Sequence, residues 1–107
     1  MTKAKARLKK KGPFEAWYES LDDRTAQRRI DRRLARFEDG DTCDCWSVGE
    51  GVYEMRFHFG SGWRVYYCQA ALNVYWLLGG GTKDTQKNDV KIAKRTKKML
   101  EAQDERI

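Results

Sequence analysis

Alternation of polar and apolar side chains over residues 53–67 constrains the fold of this chain more than any other feature. Successive side chains of a β-strand point to opposite faces of a sheet, so a strand with this pattern has one apolar and one polar face. Glycines at residues 60–62 predict a turn that folds the next strand back against the first. The predicted polar face of this hairpin carries Glu54, Arg56, His58, Arg64 and Tyr66.

The polar face of the hairpin has two interpretations. A carboxylate, two guanidinium groups, an imidazole and a phenol on one surface can bind a phosphate and move a proton beside it. Most amphipathic hairpins, however, keep one face in water and carry charge there without any chemistry. A cross-strand pair of Arg64 with Glu54 or Arg56 and a solvated His58 would account for the same pattern. The hairpin alone leaves both interpretations open.

The length and charge of the chain indicate one domain and a polyanionic partner. A chain of 107 residues predicts a single domain over 1–107, in which 1–12 is a basic N-terminal segment. Lys and Arg number 22 against 16 Asp and Glu, giving a net charge of +6. This balance favours nucleic acid or an acidic protein as partner. Lysines are also dense over 87–98, although a solvated helix face explains such a run equally well.

The sequence predicts a cytoplasmic protein without a cofactor. It has no run of 18 apolar residues, and its basic start leads into Gly12-Pro13 rather than into a hydrophobic stretch. Three cysteines and the single histidine, His58, form no cluster at metal-ligand spacing, so no metal site is expected. Cys68 is predicted to be a small buried side chain in a reducing compartment.

The periodicity of the remaining residues predicts an α+β fold. A short helix is expected after Pro13, and a second begins after Asp22 or Asp23 and ends near Gly40. Residues 41–51 are predicted to be a polar connection. The other expected elements are strands at 52–59, 63–69 and 72–79, a basic helix at about 86–103, and an edge strand within 6–11. We expect two N-terminal helices on one face of a small antiparallel meander, with the other face polar.

Three sequence strings carry a resemblance to a known family. Residues 49–56 (GEGVYEMR), 62–67 (GWRVYY) and 77–86 (LLGGGTKDTQ) occur in this order at suitable separations. Together they resemble the RelE/HigB-like addiction-module killer proteins, the phage Gp49-like group of the RelE/ParE toxin superfamily. The resemblance runs from about residue 13 to residue 95, and it implies a RelE-like fold.

The resemblance also implies a function. It indicates the toxin of a type II toxin–antitoxin pair, which inhibits translation by cutting mRNA on the ribosome without a metal. The implied partner is a HigA-like antitoxin with a helix-turn-helix. Two alternatives remain open, because the superfamily also contains ParE-like inhibitors of DNA gyrase and fold alone does not select an activity. The second alternative is a degenerate member that only binds its antitoxin and operator DNA.

Candidate site residues follow from matched positions and from chemistry. Arg56 and Arg64 match basic residues on the exposed sheet of RelE-like toxins, and Lys83 matches the basic residue before the last helix. Arginine suits phosphate because its planar fork binds two oxygens and stays charged. His58 or Glu54 is the expected general base, and histidine titrates near neutrality. Predicted RNA-binding residues are Tyr66, Lys87, Lys91 and Lys94.

Three positions depart from the family pattern. Trp46 stands where a lysine is usual, Thr82 replaces an aspartate and Asp84 replaces a serine. Trp46 lies in a segment predicted to be polar, where it stacks on a nucleotide or covers the edge of the sheet. Asp84 brings a carboxylate next to Lys83.

Overall fold

Five strands and three helices make up the fold. The computed structural model describes residues 5–42 and 44–103; Cys43 and the first four residues of the predicted basic segment lie outside them. In chain order the elements are β1 (Arg7–Lys10), α1 (Phe14–Glu19), α2 (Arg24–Glu38), β2 (Cys45–Gly49), β3 (Val52–Arg56), β4 (Arg64–Ala71), β5 (Val74–Gly81) and α3 (Gln86–Ala102). A 3₁₀ turn at Lys83–Thr85 precedes α3. No helix of the described residues is long and apolar enough to span a membrane.

The strands form one sheet in the order β1-β5-β4-β3-β2. β2 to β5 pair antiparallel with their neighbours in the chain, whereas β1 pairs parallel with β5. The predicted edge strand within 6–11 is therefore confirmed as β1. The prediction of a connection without a strand over 41–51 is wrong, because β2 lies there and pairs with β3. Two of the five β2 residues are partly buried and none is fully buried, so the sequence of this strand shows no clear alternation of buried and exposed residues.

The helices α1 and α2 pack on the face of the sheet that the alternation predicted to be apolar. The cluster there joins Phe14 of α1 and Ile30 and Phe37 of α2 to buried strand residues such as Met55 and Val65. Of the two candidate caps for α2, the structure selects Asp23, whose carboxylate accepts a hydrogen bond from the backbone N–H of Ala26 at 3.0 Å.

The other face of the sheet is not left polar, which corrects the expectation from the sequence. Ala93 of α3 packs there against Tyr66, Cys68, Trp76 and Leu78, and Val90 and Leu100 lie at the border of the same cluster. These strand side chains are apolar or aromatic and would expose a large surface without a cover. Burial raises the pKa of the Cys68 thiol to about 11. The sheet thus lies between helices on both faces, and the part near Arg56 stays open.

The register of the strands brings the predicted site residues together. Arg56 of β3 lies opposite Arg64 of β4, which in turn lies opposite Gly81 of β5. Lys83 follows Gly81 by two residues, and its backbone N–H donates to the carbonyl of Ser61 at 3.3 Å. β3 ends at Arg56 rather than at the predicted residue 59, so His58 lies in the connection to β4 and not in a strand.

Candidate functional site

The carboxylate of Glu54 organises the site. Its side chain is fully buried, and its Oε1 accepts hydrogen bonds from Arg56 Nε at 2.7 Å and from Arg64 Nη1 at 3.3 Å. Both guanidinium groups therefore lie on the same face of the sheet, as the alternation predicted. A buried carboxylate is stable only with such charged partners. Glu54 thus fixes the position of two arginines that would otherwise be flexible.

The second oxygen of the same carboxylate is also occupied. Glu54 Oε2 accepts hydrogen bonds from Gln86 Nε2 at 2.7 Å and from the Tyr66 hydroxyl at 3.2 Å. Burial raises the pKa of Tyr66 far above its ordinary value, and the carboxylates of Glu54 and Asp89 raise it further, so the hydroxyl remains a donor. Tyr66 is completely buried, which places it where it cannot stack on a base or reach a phosphate in this conformation. Its role in this structure is to hold Glu54.

Gln86 is a residue that the analysis of the sequence did not assign to the site. It is the first residue of α3, and its contact with Glu54 joins this helix to β3 across 32 positions of the chain. Gln86 is the last residue of the string at 77–86 that carries the resemblance. Its place in that string was the feature of the sequence that could have assigned it to the site.

Four of the predicted catalytic residues line one open cavity of about 570 Å³. Arg56, Arg64, Lys83 and His58 form its charged and titratable walls, together with Asp84 and the glycine turn at 60–62. The Arg56 side chain is 39% exposed, whereas that of Arg64 is 11% exposed and largely covered, although both line the cavity. Arg64 Nε is buried and has no hydrogen-bond acceptor among the described residues. An anion in this cavity would find converging N–H donors.

The two candidate bases have different surroundings. Glu54 is buried and both of its oxygens accept hydrogen bonds, so it is poorly placed to take a proton from a substrate. His58 is exposed and lines the cavity, and its Nε2 lies 3.4 Å from Asp44 Oδ2. A neighbouring carboxylate can orient an imidazole for proton transfer. His58 is thus the more accessible of the two side chains, and Glu54 is held where it positions the arginines.

Trp46 lies beside the cavity in the place of the usual lysine. The register sets Trp46 opposite Glu54, and the ring lies 5.5 Å from the guanidinium carbon of Arg56, a cation–π distance. Its side chain is 54% exposed. Trp46 therefore covers the edge of the sheet, as one interpretation of the sequence held, and it still offers an aromatic surface next to the arginines.

The lysines of α3 are not part of the cavity. Lys87 and Lys91 are exposed, whereas Lys94 lies 3.5 Å from Glu50 Oε2. Lys98 binds the other oxygen of Glu50 at 3.2 Å, and these ammonium groups lower the pKa of the Glu50 carboxyl. Lys94 is thus engaged with the turn between β2 and β3. Only Lys87 and Lys91 of the three predicted lysines are exposed for a nucleic acid.

The described residues form no candidate metal centre. No three His, Cys, Asp or Glu side chains there come together in a way that would hold a metal ion.

Comparison with known proteins identifies the fold. No protein-family model matches the chain. A protein of Haemophilus influenzae described as uncharacterized is 37% identical over 81 residues, which cover 76% of this chain and 82% of that protein. The structure of an E. coli toxin RelE mutant in the free state superposes with a TM-score of 0.66 at 14% identity, covering 85% of this chain and 97% of RelE. The chain therefore has the RelE fold.

Replacement of the buried carboxylate tests its organising role. We expect Glu54→Gln to lower the free energy of unfolding by roughly 3 kcal/mol, because two guanidinium groups lose their buried partner. Urea unfolding followed by circular dichroism measures this change. Glu101→Gln is the matched control, since the exposed pair of Glu101 with Lys97 contributes about 0.5 kcal/mol or less. Equal effects of the two substitutions would contradict the assignment.

Proposed function

We propose that this chain, which belongs to the same protein family as the uncharacterized Haemophilus influenzae protein and has the RelE fold, is the toxin of a type II toxin–antitoxin pair. Its activity is ribosome-dependent cleavage of mRNA, which stops translation. The observation that carries the proposal is the open cavity in which Arg56, Arg64 and Lys83 converge. Three cations around one space suit a phosphodiester, whose charge rises during cleavage.

The proposed reaction uses the ribose of the substrate as nucleophile. His58 takes the proton of the 2′-hydroxyl, and the 2′ oxygen forms a bond to the adjacent phosphorus as the bond to the 5′ oxygen breaks. Arg64 binds the non-bridging oxygens, where negative charge accumulates, and Arg56 supports it. The ammonium of Lys83 is the donor in the cavity that can protonate the leaving 5′ oxygen. The products are a 2′,3′-cyclic phosphate and a 5′-hydroxyl.

The ribosome and the antitoxin complete the proposal. Exposed Lys87 and Lys91 on α3 give the domain a basic surface for ribosomal RNA, where attraction to phosphates is strong and salt-dependent. A HigA-like antitoxin with an acidic segment would compete for the same cations. Bound over the cavity, such a segment would neutralise Arg56 and Lys83 and block access to RNA.

A second candidate function rests on Asp84. Asp84 lines the cavity beside Lys83, where its negative charge repels a phosphate. A ParE-like inhibitor of DNA gyrase, or a member that only binds its antitoxin, would tolerate this carboxylate. DNA-damage induction with intact mRNA would favour the gyrase target, and expression without growth arrest would favour the antitoxin-only member.

Substitution of Arg64 tests the proposed cleavage. In cells that express the chain, primer extension on mRNA should show cuts linked to codons. Arg64→Ala should lower their rate by about 10²- to 10³-fold, the effect of losing one donor to a developing anion. Arg64→Lys keeps the charge but loses the planar fork, so it should recover only part of the activity. Arg28→Ala, an exposed position on α2, is the control and should cut normally. Growth arrest with uncut mRNA would overturn the proposal.

Substitution of His58 tests the assignment of the base. His58→Ala should slow single-turnover cleavage on programmed ribosomes by about 10²- to 10⁴-fold, because the group that takes the proton of the 2′-hydroxyl is lost. Asp44→Asn removes the neighbouring carboxylate and should have a smaller effect, because the imidazole remains. Cleavage by His58→Ala at the rate of the unchanged protein would assign the base elsewhere.

A further inference from the structure

A second cavity, of about 340 Å³, lies on the α2 side of the molecule. Its walls include four arginines of this helix: Arg29, Arg32, Arg33 and Arg36. The helix spacing of three and four residues places these guanidinium groups on one face. Of the four, only Arg36 has an ion pair among the described residues, with Asp41 Oδ2 at 3.4 Å. The carboxylates of Asp41 and Asp44, which pair with Arg36 and His58, offset only part of the charge of the four arginines, so the concave surface stays cationic.

Arg33 differs from the other arginines of this cavity because its guanidinium is buried against the sheet. Its side chain is only 7% exposed, and its Nη1 lies 3.4 Å from the backbone carbonyl of Arg56. Its Nε is buried without a hydrogen-bond acceptor among the described residues. Burying a guanidinium whose donors are not all satisfied is costly. Arg33 therefore adds a fixed positive charge to the wall of the cavity, beside the three exposed arginines.

The second cavity adjoins the candidate active site. Phe57, His58 and Phe59 line both cavities, so this short segment lies between the two spaces. Phe59 also offers an aromatic surface that lies 4.5 Å from the guanidinium carbon of Arg29. Cations that track a backbone, combined with aromatic rings, are characteristic of single-stranded nucleic acid sites.

We propose that the arginine cavity of α2 binds the phosphate backbone of the same single RNA strand whose scissile phosphate lies in the first cavity. The strand passes over the segment at 57–59 and continues along α2. The inference rests on the proposed function in taking RNA as the ligand. It adds a second binding site, which sets how many nucleotides on one side of the cut contact the protein.

The salt dependence of RNA binding tests this proposal. Fluorescence anisotropy with a 2′-O-methylated dodecanucleotide, which has no nucleophile and cannot be cut, gives the slope of log K against log salt. Each arginine that neutralises a phosphate of a single strand contributes about 0.7 to this slope. Arg32→Gln should therefore reduce it by about 0.7, and Arg29→Gln with Arg32→Gln by about 1.4. Arg28→Gln makes the same charge change on the same helix outside the cavity and should leave the slope unchanged.

A dinucleotide provides the second measurement. It is long enough for the first cavity alone, so Arg32→Gln should not change its affinity, whereas Arg64→Ala should. Equal slopes for Arg32→Gln and Arg28→Gln with the long RNA would overturn the inference. So would loss of binding to an acidic peptide in Arg32→Gln with RNA binding intact. Binding of this RNA does not require cleavage. A protein that does not cut mRNA but still shows the change in slope would therefore refute the proposed function and support the second binding site.

Discussion

A buried carboxylate with four hydrogen-bond donors is the interaction on which the rest of this site depends. One oxygen of Glu54 accepts hydrogen bonds from Arg56 and Arg64, and the other accepts hydrogen bonds from Tyr66 and Gln86. The donors come from β3, β4 and the first residue of α3, so one side chain joins the hairpin to the C-terminal helix. Two guanidinium groups held by one carboxylate keep a net positive charge, and this charge faces the cavity rather than the interior.

The position of α3 decides which part of the sheet remains accessible. The helix packs on the face of the sheet that carries Glu54, and it covers the end of this face where Trp76 and Leu78 lie. Its first residue, Gln86, contacts Glu54. Arg56 lies beyond its cover. The same face is thus a hydrophobic core at one end and a cationic cavity at the other. α2 has a similar double role, since it packs Ile30 and Phe37 inward and presents an arginine-lined cavity outward.

The sequence was most informative where structure is set by near neighbours. Alternation placed Glu54, Arg56 and Arg64 on one face, because the two faces of a strand follow directly from the order of residues. It did not reveal β2, an edge strand whose side chains are mostly exposed. Nor did it reveal that Glu54 and Tyr66 are buried. Their burial depends on Gln86 and α3, which approach from a distant part of the chain, and a polar residue carries no local sign of such a cover.

The most direct test of the cationic cavity is to observe its arginines while RNA binds. Titration of isotope-labelled protein with a 2′-O-methylated RNA dinucleotide can be followed through the arginine Nε–H resonances. Arg64 Nε–H, a buried donor without an acceptor among the described residues, should shift most and saturate, with Arg56 shifting alongside it and Arg28 unchanged. RNA binding that leaves Arg64 Nε–H in place, or that shifts all surface arginines equally, would contradict a phosphate site built on Glu54.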